Sequence, residues 1–110
     1  GSGTESLVRL ALQDAGFRVT PQVRIPGVGF VDLLVGTRVV VEVDSERWHS
    51  TPEQRAEDSR RDLELHRLGF VVVRVRYDQA MNERDVVVAA VERAVRTSRS
   101  VRAARRHRRS

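Results

Sequence analysis

Neither cysteine nor lysine occurs anywhere in the 110 residues. Without cysteine the chain has no disulfide framework, no thiol nucleophile and no thiolate zinc site, and an intracellular (cytoplasmic) compartment is the expectation. Without lysine every scheme that needs a lysine base or amine nucleophile falls away, and all 20 basic side chains are arginine. No stretch approaches 18 continuous apolar residues, so a membrane-spanning helix is excluded. No signal-peptide pattern opens the chain, and Gly1-Ser2-Gly3 reads as an expression remnant. What is present, 40% apolar and 32% charged residues, reads as one globular domain with a single core.

The arginines are unevenly spread. Residues 97–110 hold Arg99, Arg102, Arg105, Arg106, Arg108 and Arg109 and no acid, whereas the other fourteen arginines face fifteen acids and leave the body at −1. The net charge of +5 therefore belongs to the tail. It reads either as a mobile arm for nucleic acid or another polyanion, or as a solvated terminus. Residues 4–96 form the expected domain and 97–110 its basic tail.

The hydrophobic periods change cleanly along the chain. Leu7, Ala11 and Ala15, with Val8 and Leu12 alongside, predict a helix over Thr4–Ala15 that Gly16 stops. Phe17–Ile25 is β-branched and extended, broken at Pro21 and closed by a Pro26-Gly27-Val28-Gly29 loop. Phe30–Val35 and Arg38–Asp44 predict a hairpin around Gly36-Thr37. Thr51-Pro52-Glu53-Gln54 has capping-box spacing with proline at the first helical position, opening a helix to about Leu68 that Gly69 ends. Phe70–Arg76 returns to strand, parallel to Arg38–Asp44 through a right-handed crossover. Val87, Val91, Ala94 and Val95 predict a last helix from about Glu83 to Thr97. The expected fold is α/β, a single domain of order αβββαβα with a mixed sheet.

Three acids stand out against this pattern. Asp32 opens one valine-rich strand, and Glu42 and Asp44 interrupt the next, although a desolvated carboxylate costs several kcal/mol unless paired or bound to a cation. A divalent metal is the commonest chemical reason, a solvated strand end the plainer one. Glu42 and Asp44 share a face by alternation. A two-residue turn would put Asp32 opposite Val41, on the wrong face; a three-residue loop of Gly36, Thr37 and Arg38, or a bulge, puts it opposite Glu42. The second register is the expectation.

Gly3-Thr4-Glu5-Ser6, Val31-Asp32, Glu42-Val43-Asp44, Trp48-His49, Arg61-Asp62, Gly69 and Arg74 together resemble the DUF559 domains, relatives of the very-short-patch-repair endonucleases in the PD-(D/E)XK nuclease superfamily. The resemblance runs to about Asp78. It implies a restriction-endonuclease-like, three-layer αβββαβ core, a DNA substrate and phosphodiester cleavage dependent on Mg2+ or Mn2+. Asp44 stands where the superfamily at large has lysine, and Ser45 where DUF559-like chains usually have glycine.

Asp32 and Glu42 are the first candidates for metal ligands, with Asp44 a further one. His49 titrates near neutral pH and suits a proton-transfer role, which its match to the repair enzymes' histidine supports; it could equally be a surface residue. Glu5 in a first helical turn is explained by the helix dipole, while the resemblance implies that it approaches the metal site and orients a water. Arg74 and Arg76 share one strand face, where Arg74 could reach a scissile phosphate or pair with an acid such as Glu42. Trp48 suits either a wedge into base stacks or packing over the core edge. Arg61 and Asp62 read as an internal Arg–Asp ion pairing that steadies the helix against the sheet, and no catalytic role is expected for His66 or His107. Three functions follow: a metal-dependent DNA endonuclease acting on mismatched or distorted DNA, as a homodimer where both strands are cut; a nucleic-acid-binding module with a decayed site; or a toxin or regulatory partner domain of a longer protein.

Overall fold

The computed structural model describes residues 3–44 and 51–109. Its elements run α1 (Gly3–Asp14), β1 (Val19–Ile25), β2 (Gly29–Val35), β3 (Val39–Val43), α2 (Pro52–Arg67), β4 (Val71–Val75), α3 (Tyr77–Asn82) and α4 (Arg84–Arg109). The four strands lie in the order β1-β2-β3-β4, the first three antiparallel and β4 parallel to β3. The α/β class and the mixed sheet expected from the sequence are thus found.

Alternation along the central strands sorts the valines onto two faces. Leu33, Val35, Val39, Val41, Val43 and Val75 pack with Val8 and Leu12 of α1, Ala80 of α3, and Val87, Val91 and Ala94 of α4. Val31 and Val40 form a second cluster with Ile25, Val28 and Leu65 of α2. Helices therefore cover both faces, three on one side and α2 on the other. The cover on the α2 side is thin, because Leu65 is the one buried residue in that helix.

Local chemistry explains most boundaries. Thr51 Oγ1 accepts from Gln54 N–H at 3.1 Å while Gln54 Oε1 accepts from Thr51 N–H at 3.2 Å, the reciprocal box the spacing predicts. Leu68 caps the other end of α2, and Gly69 leaves it at φ 94°, a conformation that favours glycine. Pro21, expected to break its strand, lies within β1 opposite Leu33. An edge strand tolerates this, since a missing N–H there need not cost a ladder bond.

Three features depart from expectation. The first helix begins at Gly3, inside the stretch taken for a remnant. A short helix, α3, fills the interval between the last strand and the last helix. Residues 97–109 of the basic tail are helical, since α4 continues as one helix to Arg109. Arginine and alanine are strong helix formers, and no glycine or proline follows Arg84 to stop the propagation.

Candidate active site

The β2–β3 register decides whether the acids can meet. Val35 pairs with Val39, Leu34 with Val40 and Leu33 with Val41, which leaves Gly36, Thr37 and Arg38 as a three-residue loop and brings Asp32 opposite Glu42. Gly36 takes φ 61° in that loop. At the acids the ordinary ladder gives way to side chains. Asp32 N–H donates to Glu42 Oε2 at 3.2 Å, and Val43 N–H donates to Asp32 Oδ2 at 2.8 Å. Each carboxylate thus caps a backbone donor of the other strand.

The strand also changes face here. Val31 joins the α2-side cluster although alternation would group it with Leu33. Across from Asp32, between the pairs Pro21–Leu33 and Val23–Val31, Gln22 has φ 53°. A left-handed non-glycine residue costs roughly 1 kcal/mol or more. Gln22 Nε2 donates to Glu5 at 3.1 and 3.4 Å, which ties the first turn of α1 to the strand position facing Asp32.

Arg61 of α2 completes the arrangement. Its Nη2 donates to Glu42 Oε1 at 3.0 Å and to the Phe30 carbonyl at 2.9 Å, and its Nη1 donates to the Val28 carbonyl at 2.8 Å. One guanidinium therefore fastens α2, the turn before β2, and the acid of β3. A side chain at Gly29 would meet this head at 3.4 Å, so the close approach suits glycine. Its neighbour Asp62 binds Arg74 in bidentate fashion, at 3.0 and 2.8 Å. The ion pairing expected to steady this helix against the sheet is found, but Arg61 and Asp62 do not pair with each other: each reaches across to the sheet, and two parallel ion pairs supplement the sparse apolar contact of α2. Arg74 lies beside Glu42 in the parallel ladder, but its ion-pair partner is Asp62 rather than Glu42.

Burial gives the acids unusual titration. Glu42 is 8% exposed. Its carboxyl titrates above the ordinary 4.5 because it is desolvated and because Asp32 is negative, while hydrogen bonds from the Asp32 backbone and Arg61 pull it back. Asp44 is raised above 3.8, first by burial, against the opposing charge of Arg74, with Asp58 and Asp32 adding to the rise. A raised native value means that the folded state holds the proton to higher pH than the unfolded chain. Stability from these groups is then fully present below 4.5 and 3.8, and is lost as pH rises through the native values. Glu42→Gln is expected to remove its share of that dependence. Urea midpoints of both proteins across pH 4 to 8 (roughly the carboxylate window) check this, and a difference that does not vary with pH contradicts it.

The structure brings Asp32 within electrostatic reach of both Glu42 and Asp44 and ties Glu5, through Gln22, to the strand position facing Asp32. Among the described residues, no three His, Asp or Glu side chains yet converge closely enough to hold an ion. Both Glu42 oxygens accept hydrogen bonds, whereas Asp32 Oδ1 and the Asp44 carboxylate accept none among the described residues. An all-oxygen donor set with free lone pairs on two acids suits a hard cation that keeps several waters, so Mg2+ or Mn2+ fits its chemistry. Trp48 and His49 lie outside the described residues. Arg76 pairs with Asp78 at the end of β4. Arg99, Arg102, Arg105, Arg106, Arg108 and Arg109 all belong to α4.

Two contributors were not singled out by the sequence. Gln22 carries no motif. Asp58 carries no motif either, yet its charge reaches both Asp44 and Arg74. The one available signal was periodic: Asp58, Arg61, Asp62 and Leu65 share one face of α2 at helical spacing.

The REase_MTES_1575 family model matches residues 5–95. The catalytic domain of the homing endonuclease I-Bth0305I superposes with a TM-score of 0.73 at 22% identity, covering 89% of this chain and 98% of that one. An uncharacterized protein of Haemophilus influenzae (strain ATCC 51907 / DSM 11121 / KW20 / Rd) is 36% identical over 55 residues. That match spans 50% of this chain and 45% of the relative, less than half its length. The restriction-endonuclease-like fold expected from the sequence is borne out. No described helix is long and apolar enough to cross a membrane.

Proposed function

The chain belongs to the REase_MTES_1575 family, of restriction-endonuclease-like fold, and from that premise we propose that it is a divalent-metal-dependent DNA endonuclease. The family and the shared fold of a homing endonuclease's catalytic domain support nuclease activity. The observation that carries the reading is the reciprocal latch holding Asp32 beside Glu42.

Phosphodiester hydrolysis needs a water nucleophile, relief of charge on the pentavalent phosphate, and a proton for the leaving oxygen. Bound Mg2+ or Mn2+ would lower the pKa of water and offset phosphate charge. Asp32 and Glu42, with Asp44, are the side chains that would hold it. Arg61 keeps the Glu42 carboxylate in place, and Glu5, fixed through Gln22, orients water on the adjoining strand. Arg74, beside Glu42 in the ladder, supplies positive charge that lysine gives elsewhere. His49 accepts or returns the proton. Trp48 wedges into distorted or mismatched DNA, and a homodimer would cut both strands.

Supercoiled and single-stranded DNA incubated with Mg2+, Mn2+ or EDTA test this. Nicking with metal and none in EDTA is expected. A second reading, nucleic-acid binding without cleavage, draws on the ion pair between Arg61 and Glu42, which engages an oxygen the metal would use. DNA retained but left intact under every condition would favour it.

The basic end of α4 has its own test. Truncation after Ala104 removes Arg105, Arg106, Arg108 and Arg109, and if all four contact phosphate the slope of log affinity against log salt falls by about 3 to 4. An unchanged slope would mean that this end of the helix does not touch DNA.

A further inference from the structure

A cavity of about 340 Å³ opens at the end of the sheet away from the acids, between the α1–β1 turn, the β2–β3 loop and α4. Arg18, Arg38, Arg99 and Arg102 line it, with no acid among the lining residues. Phe17, Val35 and Val95 supply apolar wall. The distribution is selective. Arg60, Arg61, Arg67, Arg74 and Arg76 each have a carboxylate partner, whereas the four cavity arginines form no ion pair among the described residues.

Two further arrangements gather charge there. Val95, Ser98, Arg99 and Arg102 follow helical spacing and share one face of α4, which turns two guanidiniums to the same opening. At Gly69, just beyond, an added side chain would meet the heads of Arg105 and Arg38 at 3.5 and 3.8 Å. The walls are tied by backbone bonds: Gly36 N–H donates to the Arg18 carbonyl at 2.9 Å and Val71 N–H to the Arg38 carbonyl at 2.8 Å. Arg38 also sits 5.7 Å from the Phe70 ring centroid, which limits its rotamers.

We propose that this cavity binds a nucleoside 5′-phosphate, either a free nucleotide or the end of a strand. Guanidinium forks match phosphate oxygens in pairs, and four of them without counter-charge favour an anion over any neutral ligand. The apolar wall gives a planar base a dry surface that inorganic phosphate alone would leave unused. Its volume, at the small end of ligand pockets, suits one nucleotide rather than a dinucleotide. Glu42 lies three residues along β3 from Val39, about 10 Å away, and its carboxylate meets Arg61 of α2 instead of α4. The site is therefore separate from the proposed nuclease centre and does not depend on that reading.

Calorimetric titration of the full chain in EDTA tests it, with thymidine 5′-monophosphate, thymidine and inorganic phosphate as probes. Thymidine 5′-monophosphate is expected to bind at least about tenfold more tightly than either of the others, the scale of one charge-assisted contact. The double substitution Arg18→Gln/Arg102→Gln is expected to weaken it by a further tenfold or more (about 1.4 kcal/mol). Asp32→Asn should leave it unchanged. A double variant that melts as wild type yet binds the nucleotide equally well overturns the proposal, as does equal affinity for thymidine. If the double variant fails to fold, Arg102→Gln alone serves, with the same two outcomes. Inorganic phosphate binding as tightly as the nucleotide overturns the assignment of a base subsite. Competition by a 5′-phosphorylated oligonucleotide, but not its 5′-hydroxyl form, would identify a strand end as the source; no competition by either would identify the free nucleotide.

Discussion

Glu42→Gln will lower metal-dependent nicking by about a thousandfold or more, some 4 kcal/mol of transition-state stabilisation. The substitution keeps the shape and an oxygen for Arg61, and removes the negative charge. It should not unfold the protein, because a carboxylate 8% exposed beside the negative Asp32 is costly to ionise. Asp32→Asn should match it, since that residue faces Glu42 across the hairpin and caps Val43 N–H. The check is nicking rate measured together with the urea midpoint. Activity lost with the midpoint kept assigns the acids to chemistry; cleavage within about threefold of wild type removes them from it.

Arg61→Ala has the largest expected effect on stability. Removing the guanidinium strands Glu42 without its counter-charge and frees the Val28 and Phe30 carbonyls. Breaking a fully buried pair costs about 3–5 kcal/mol, and with side chains 20% and 10% exposed, about 2–3 kcal/mol is the expectation. The loss should shrink as pH falls and Glu42 takes up its proton. Arg61→Lys restores charge but not the forked set of donors, so it should recover part of the loss. The double variant Arg61→Ala/Glu42→Gln should be more stable than Arg61→Ala alone, because the stranded charge is gone. Urea midpoints of the four proteins measure the coupling. Additive effects would mean that the 3.0 Å contact contributes nothing to holding α2 on the sheet.

How far the sequence could be read follows from which interactions are local. The capping box at Thr51, the stop at Gly69 and the alternation of Glu42 and Asp44 depend on neighbours within a few residues, and all were legible. The hairpin register was legible because one choice separates the acids and the other joins them. The short helix α3 was hidden by its N-cap residue, Arg76. Gln79 Oε1 accepts from Arg76 N–H at 2.9 Å, which is half of a capping box, but arginine offers no acceptor in return and so gives no helix-start signal. The arginine-rich end of α4 looked like an arm because like charges repel, yet Ala103, Ala104 and the arginines carry high helix propensity.

At the site, the acids were legible and their supports were not. Arg61 reaches carbonyls 33 and 31 residues away, at Val28 and Phe30, and nothing near it in the chain announces those partners. The turnover of β2 at Asp32 likewise arises from packing on two faces rather than from a motif. An arginine on a polar helix normally belongs to solvent. Here the helix is attached through its charges as much as through Leu65.

Asp32 and Glu42 are the side chains that would hold a divalent metal on which cleavage depends. The most direct test is the rate of nicking of supercoiled DNA against Mg2+ concentration, for wild type and Asp32→Asn side by side. Wild-type rate should rise to a plateau with metal and vanish in EDTA, while Asp32→Asn should stay at background throughout. Nicking that persists in EDTA, or the same metal curve from both proteins, would contradict the account.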